Sequence, residues 1–183
     1  MTLKLSTLAI VLGLGLAIPQ LVGLLNPQKF AAAARKFPRH LPLGIALMLL
    51  GTGWFVWNLS QESISDFAPM KPYMMAGFAL IGVGACIFVQ DFLAVRGLAV
   101  LMLMLAKLMT DTGRPALSHT HWVLVIQTWG YILAVAGMWL TISPWRLRDL
   151  VEWATATEQR IRVGSAIRLV FGLFVAFLGF TKF

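Results

Sequence analysis

The residues that could do chemistry in this chain are the few polar groups beside or within long apolar runs. Gln90, Asp91 and Arg96 lie between two such runs, and Gln127 lies within another. A charge at the centre of a membrane costs about 2.5–3.5 kcal/mol, so these four residues form a candidate intramembrane polar site if the runs cross a bilayer. Two interpretations of Asp91 and Arg96 stay open. They form an ion pair that fixes a tight turn, which we favour, or a proton or ion site that includes Gln90.

The other reactive residue types do not form a catalytic or metal-binding pattern. We expect Gln127 to hydrogen-bond a neighbouring helix, worth about 0.6–2 kcal/mol, with a pore lining as the alternative. His119 and His121 would point about 200° apart on a helix, so we expect neither a metal site nor haem. Cys86 is the single cysteine and fits a small packing residue. The sequence shows no Ser-His-Asp set, zinc motif or paired carboxylates, so we predict no catalytic residue and no enzyme activity.

Two basic residues lie inside apolar runs but close to their ends. We expect Lys107 to extend its amine toward Asp111, Glu62 or Asp66, and Arg168 to reach lipid headgroups. Long basic side chains behave in this way because their aliphatic stems stay in the apolar region while the charge reaches water. Both are therefore interpreted as snorkelling residues.

The composition identifies the environment in which these residues act. Of the 183 residues, 59% are apolar and 12% are charged, whereas about 25% are charged in an average soluble domain. A soluble chain of this length has too little interior to bury so much apolar surface. These values exclude a disordered chain, a disulfide-rich secreted domain and an ordinary cytosolic enzyme. They indicate a protein whose solvent is lipid.

Six apolar runs have the length of membrane spans. A transmembrane helix needs about 20 residues, because it rises about 1.5 Å per residue through a hydrocarbon core about 30 Å thick. We predict an all-α integral membrane protein with six transmembrane helices in three hairpins. We expect the first helix to be retained and not cleaved as a signal. The predicted spans are Leu5–Leu25, 41–59, 73–92, 95–109, 121–142 and 163–180.

Basic residues are distributed unequally between the two sides of the predicted bundle. Ten of the 15 Lys and Arg residues fall on the side opposite the termini, and cytoplasmic loops carry the excess of positive charge. We therefore place both termini on the non-cytoplasmic side of a bacterial inner membrane. The basic side is expected to meet anionic lipid headgroups, and no stretch is long enough for a nucleic-acid-binding domain. The predicted headgroup contacts are Lys29, Arg35, Lys36, Arg39, Arg146, Arg148, Arg160 and Arg162.

Two stretches of the chain share one plan. Each consists of an apolar helix, a small polar residue followed by proline, a basic linker and a second apolar helix. We predict a single membrane domain over residues 1–183, with one such unit at 1–60, a central helical hairpin at 73–110 and a second unit at 120–183. The two units would have parallel topology, because their first helices start from the same side.

Both linkers have an amphipathic helical pattern. Their apolar residues follow i, i+3, i+4, i+7 spacing, so we interpret them as helices that lie in the plane of the cytoplasmic interface. Arg148 and Glu152 are expected to pair on the polar side of the second linker. The apolar residues are Phe30, Ala33, Ala34 and Phe37 in the first linker, and Leu147, Leu150, Val151 and Ala154 in the second.

The two units resemble a known family of small membrane proteins. The run from Leu25 to Phe30 in the first unit, and Pro144-Trp145-Arg146, Ile161-Arg162-Val163-Gly164 and Phe171-Gly172 in the second, are similar to the pattern of YjeT-like two-helix bacterial inner-membrane proteins. This chain departs from that family in having six predicted helices. Asn26-Pro27 with Phe30 also resembles DoxX-like membrane proteins. Neither resemblance implies an activity or a catalytic residue.

Two classes of function fit these observations. We expect a non-catalytic accessory or structural subunit that packs on a larger membrane complex, because the helices are nearly free of charge and no catalytic set is evident. The alternative is a small solute or ion transporter or channel that acts as a homo-oligomer and uses the candidate polar site. An enzyme acting on lipid or quinone is the third choice. Expected partners are membrane lipids and other subunits; no cofactor is evident, and the apolar grooves between helices are compatible with bound lipid or pigment.

Overall fold

The computed structural model describes residues 4–63 and 68–183, and every regular element in these ranges is helical. Short 3-10 turns at Phe37–Arg39, Ala68–Met70 and Arg114–Ser118 lie between some of the longer helices. The α-helices are α1 (Leu5–Leu25), α2 (Pro27–Lys36), α3 (Leu41–Gln61), α4 (Lys71–Phe88), α5 (Leu93–Gly113), α6 (Val123–Ile142), α7 (Trp145–Ala154) and α8 (Glu158–Thr181).

Six helical segments in these ranges are long and apolar enough to cross a membrane. The prediction of an all-helical chain with six span-length helices is therefore confirmed for the described residues. The segments are Leu5–Leu25, Leu41–Gln61, Ala68–Phe88, Leu93–Ser118, Val123–Ile142 and Glu158–Thr181.

Three helix ends differ from the predicted spans by four or five residues. α4 ends at Phe88 and not at residue 92, because a turn follows in which Phe92 adopts a φ of 55°. α5 continues past residue 109 to Gly113. α8 begins five residues before residue 163, at Glu158, where the Thr157 hydroxyl accepts a hydrogen bond from the Arg160 amide. The start of α8 thus extends beyond its apolar run because Thr157 caps it.

The two predicted linkers form α2 and α7, helices of ten residues each. In α2 the residues turned inward are Pro27, Phe30, Ala31 and Ala34, whereas Ala33 is exposed. Phe37, the remaining residue of the predicted stripe, is also half-buried, so the prediction is wrong at Ala33 alone. The Phe30 ring lies 3.5 Å from the position that a Cβ atom on Gly23 would occupy, so α2 turns this ring toward α1. In α7, Leu147, Val151 and Ala154 are half-buried as expected, while Leu150 is exposed.

One compact unit is built around the antiparallel pair of α1 and α8. Gly23 meets Ser165 near one end, and Gly13 meets Gly172 near the middle. A Cβ atom on Gly13 would lie 2.5 Å from the Gly172 carbonyl oxygen and 2.6 Å from the Ala176 nitrogen. Small residues therefore bring the two backbones into direct contact, as in tightly packed membrane helices. The unit comprises the described residues up to Arg35, together with Leu105–Ala134 and Arg148–Phe183.

The same unit includes the second half of α5 and the first half of α6. These segments contact each other through glycine: Gly130 packs against Met109 and Gly113 against Gln127. They complete a core with α1 and α8, and its buried members are Leu5, Leu8, Ala9, Met109, Val123, Ile126 and Val175. Apolar side chains from four helices therefore share one core, which holds the α1–α8 pair in place.

The second compact unit is built on α3. This helix runs parallel to the first half of α5, with Gly44 against Ala94 and Gly51 against Val100. It runs antiparallel to α4, where Phe55 and Phe78 stack edge to face with ring centroids 4.9 Å apart. The unit comprises the described residues of Lys36–Met104 together with Val135–Leu147.

The two compact units join distant segments of the chain and do not follow the boundaries predicted from the repeated plan. α1 of the first predicted unit packs on α8 of the second. The predicted division therefore remains a prediction about the organisation of the sequence, with helix-linker-helix units at 1–60 and 120–183 and a hairpin at 73–110. The compact units of the structure have other boundaries.

Candidate functional site

A polar anchor at one end of the first compact unit fixes α2 to the turn between α7 and α8. Arg35 Nε donates to Thr155 Oγ1 at 2.9 Å, and Arg35 Nη2 donates to the Thr155 carbonyl at 2.7 Å. Gln28 Nε2 donates to Glu158 Oε1 at 3.0 Å. Because the last carbonyls of a helix lack intrahelical donors, the Arg35 guanidinium caps α7. Arg35, a predicted headgroup contact, has these protein partners in the structure.

A cleft of about 430 Å³ opens beside this anchor, between the end of α7 and the first three turns of α8. α7 ends at Ala154, and Thr157 caps the start of α8, so the short turn places Trp153 beside the first residues of α8. The principal lining residues are Trp153, Thr157, Arg160, Val163, Gly164 and Arg168. One wall is therefore apolar and the other carries two guanidinium groups.

Both arginines of this cleft are held by the protein backbone. Arg160 Nη1 donates to the Trp153 carbonyl at 3.3 Å, and its guanidinium lies 5.3 Å from the centroid of the Trp153 ring. Arg168 Nε donates to the Gly164 carbonyl at 3.0 Å, one turn earlier in α8. A Cβ atom on Gly164 would lie 2.9 Å from Arg168 Nη2, so the absence of a side chain leaves room for this guanidinium. The Arg168 side chain therefore extends back toward the start of α8, and its expected contact with lipid headgroups stays a prediction.

The electrostatic balance of the cleft is positive. Among the described residues, neither Arg160 nor Arg168 has a carboxylate within ion-pair distance, and no acidic residue lines the cleft. Two nearby carboxylates form ion pairs with another arginine: Arg148 pairs with Asp149 at 3.0 Å and with Glu152 at 3.9 Å. The second of these pairs confirms the predicted i, i+4 contact. Two cations thus face one opening with most of their hydrogen-bond donors unused.

An apolar groove of about 480 Å³ continues the cleft along α8. Ile167 lines both the cleft and the groove, and Ala166, Val170, Phe171 and Phe174 line the rest of the groove. Two aromatic contacts support it, one from Trp129 in α6 and one from Trp122 immediately before α6. Trp129 stacks edge to face on Phe171 with centroids 5.3 Å apart, and Trp122 on Phe174 at 6.3 Å.

The structure brings together only part of the candidate polar site. Gln90 and Asp91 are exposed in the turn before α5, and no ion pair joins Asp91 to Arg96 in the described structure. Arg96 Nε is buried without a hydrogen-bond partner among those residues. Gln127 belongs to the other compact unit, where its side chain is 7% exposed and packs against Gly113. The hydrogen bond expected for Gln127 is not formed with any residue that the structure describes.

The remaining predicted cations have varied surroundings. Lys107 pairs with Asp111 at 2.7 Å, as expected, whereas Asp66, another expected partner, lies outside the described residues. Arg39 lies 6.0 Å from the centroid of the Phe92 ring. The other predicted headgroup contacts are exposed: Lys29, Lys36, Arg146 and Arg162.

The sequence predicts Arg160 as a headgroup contact and Arg168 as a snorkelling residue, but it does not place them in one cleft with Trp153. The signal that could have joined them is the spacing of Arg160, Gly164 and Arg168, each four residues apart, which places a small residue between two long cations on one helix.

The fold and the cleft define a chain with six span-length helices and a basic, partly apolar opening at one helix end. Comparison with protein-family models, with curated proteins and with solved structures found no match to this chain.

Proposed function

We propose that this chain is an integral membrane protein of a bacterial inner membrane and serves as a non-catalytic accessory subunit of a larger membrane complex. The observation that carries the proposal is the outer face of α4. Of its 18 residues only Gly82 and Cys86 are buried, whereas Leu80 and Phe88 are 72% and 84% exposed. A continuous apolar face of this kind supports lateral contact with lipid and with another subunit.

The use of the polar residues also supports a packing role. Lys71 Nζ donates to the carbonyls of Ser60 at 2.6 Å and Glu62 at 2.9 Å, which ties the start of α4 to the end of α3. Arg35 and Gln28 tie α2 to the α7–α8 turn in the same way. These side chains hold helix ends together, a task that suits a rigid binding subunit.

Native electrophoresis of membranes in mild detergent, with mass spectrometry of the band that carries the chain, tests this proposal. We expect migration within a large assembly. Phe88→Ala should weaken the association because it removes the most exposed ring of α4, while Phe180→Ala, at 73% exposure on α8, is the matched control. Migration of the wild-type chain as a homogeneous monomer would contradict the accessory role.

A second candidate is a small solute or ion transporter or channel that acts as a homo-oligomer. The observation that favours it is the buried Nε of Arg96, which has no partner in the described residues and lies close in sequence to exposed Asp91. Flux measurements in liposomes test it, with Asp91→Asn and Arg96→Gln as variants. Equal flux in the wild type and both variants would remove its support.

The proposed orientation places α2, α7 and the start of α8 on the cytoplasmic side and both termini outside. The distribution of Lys and Arg supports it. Single cysteines at Arg146 and Arg114, introduced into a Cys86→Ala background, should differ in labelling by an impermeant maleimide added to intact spheroplasts. We expect labelling at position 114 and protection at position 146; the reverse pattern would overturn the orientation.

A further inference from the structure

We propose that the cleft at the α7–α8 turn binds one anionic phospholipid, with its phosphate between Arg160 and Arg168 and one acyl chain in the groove along α8. This inference rests on the membrane insertion proposed above but not on the accessory role. The juxtaposition that carries it is a cleft with two cations that leads directly into an apolar groove through Ile167.

The first step concerns the headgroup. A guanidinium has five N–H donors in a planar fork that matches phosphate oxygens. Arg160 and Arg168 each direct one hydrogen bond to a backbone carbonyl, which leaves donors on both for an anion. Because these bonds and the Trp153 ring already restrict the side chains, binding a phosphate would cost little further ordering.

The second step concerns the acyl chain. From Gly164 to Phe174 the helix rises about 15 Å at 1.5 Å per residue, which is about half of a hydrocarbon core about 30 Å thick. The groove over this length is lined by Ile167, Val170, Phe171 and Phe174. An acyl chain that belongs to one leaflet therefore has the length of the groove.

The third step concerns selectivity. The cleft presents two cations and, in the described part of the chain, no acidic lining residue, so a zwitterionic headgroup would bring its own cation close to Arg160 and Arg168. An anionic headgroup brings no such cation. Inorganic phosphate would satisfy the arginines but leave the groove empty. An anionic amphiphile would occupy both, with its headgroup in the cleft and its acyl chain in the groove.

The binding experiment uses the purified full-length chain in a non-ionic detergent. Native mass spectrometry would count bound lipids during titration with phosphatidylglycerol, and thermal unfolding would record stabilisation. We expect phosphatidylglycerol to bind at least about tenfold more tightly than phosphatidylcholine with the same chains, because the choline cation would be repelled by the two guanidinium groups. Equal affinity for the two lipids would overturn the proposal. Inorganic phosphate should not raise the melting temperature, and stabilisation by phosphate equal to that by the lipid would identify a simple anion site instead.

Matched variants localise the site. Arg160→Gln and Arg168→Gln should each weaken phosphatidylglycerol binding about tenfold. Arg162→Gln is the control, because Arg162 is exposed on the same helix but does not line the cleft. A loss at position 162 equal to that at position 160 would show that binding depends on diffuse charge and would refute the cleft.

Gly164→Ala separates lipid binding from folding. The added methyl group would lie 2.9 Å from Arg168 Nη2 and displace that guanidinium, so we expect weaker phosphatidylglycerol binding. The same change should keep or raise the melting temperature without lipid, since alanine favours a helix over glycine. Unchanged lipid affinity in this variant would contradict the assigned role of Arg168. Because these measurements use the isolated chain, migration as a monomer in native membranes could refute the accessory role while lipid binding persisted.

Discussion

The substitution of Gly13 by alanine provides a demanding test of the α1–α8 packing. The new Cβ atom would lie 2.5 Å from the Gly172 carbonyl oxygen and 2.6 Å from the Ala176 nitrogen. Both are backbone atoms, so no side-chain rotation can relieve the contact. Ordinary van der Waals contact begins near 3.4 Å, and the two helices must therefore separate by roughly 1 Å at this point.

The cost of that separation follows from short-range attraction. A gap of about 0.5–1 Å removes a quarter to a half of the dispersion energy of the atoms that face it. Overpacking of well-packed cores typically costs about 1–3 kcal/mol, and we expect Gly13→Ala to destabilise the protein by an amount in this range. Thermal or denaturant unfolding of the purified chain in detergent, followed by circular dichroism, would measure it.

Gly15→Ala is the matched control for this measurement. It makes the same change two residues later in α1, but no atom of the described residues outside the adjacent α1 backbone lies within 4 Å of the new methyl group. Alanine is favoured over glycine in a helix by up to about 1 kcal/mol, so this variant should be as stable as the wild type or more stable. Equal stability of the Gly13 and Gly15 variants would refute the direct contact between the backbones of α1 and α8.

Two further predictions concern polar contacts in the same unit. Arg35→Ala should lower stability by about 1 kcal/mol, because it removes the cap that Thr155 receives, while the exposed neighbour Lys36→Ala should have little effect; a chemical unfolding series would compare them, and equal losses would contradict the cap. Ser165→Ala should be neutral or stabilising, since the Ser165 hydroxyl is fully buried without a partner in the described structure. It should also reduce the cost of Gly23→Ala, whose Cβ would collide with that hydroxyl, and a double-mutant cycle without coupling would argue against this contact.

The long helices were predictable from the sequence because membrane-length apolar runs leave few alternatives. Their ends were less predictable, because a cap or a turn decides them. The basic residues Arg160 and Arg162 suggested that the second linker extended to about residue 162. In the structure, Thr157 caps α8, and the helix already begins at Glu158. The turn at Phe92 ended α4 early, although no glycine or proline marks the end of that apolar run.

The cleft was predictable in its residue types but not in its assembly. Trp153 and Arg160 meet only because α7 ends at Ala154 and the chain turns at once into α8. Arg168 joins them because its side chain bends back to the Gly164 carbonyl. Hydropathy and charge counts contain no information on such backbone contacts, so the sequence indicated a basic surface where the structure contains a defined opening.

The pairing of α1 with α8 also changes the meaning of the repeated plan. Each predicted unit consists of a helix, a linker and a helix, but the close backbone contacts of α1 are with α8, and those of α3 are with α5. In both predicted units, glycine-mediated contacts therefore form with helices outside the unit. Both linkers directly follow the preceding long helix in the chain: Pro27 is the first residue of α2, and Pro144 immediately precedes the first residue of α7. The repeated plan therefore describes the order of elements along the chain, whereas the packing of the long helices follows the positions of small residues.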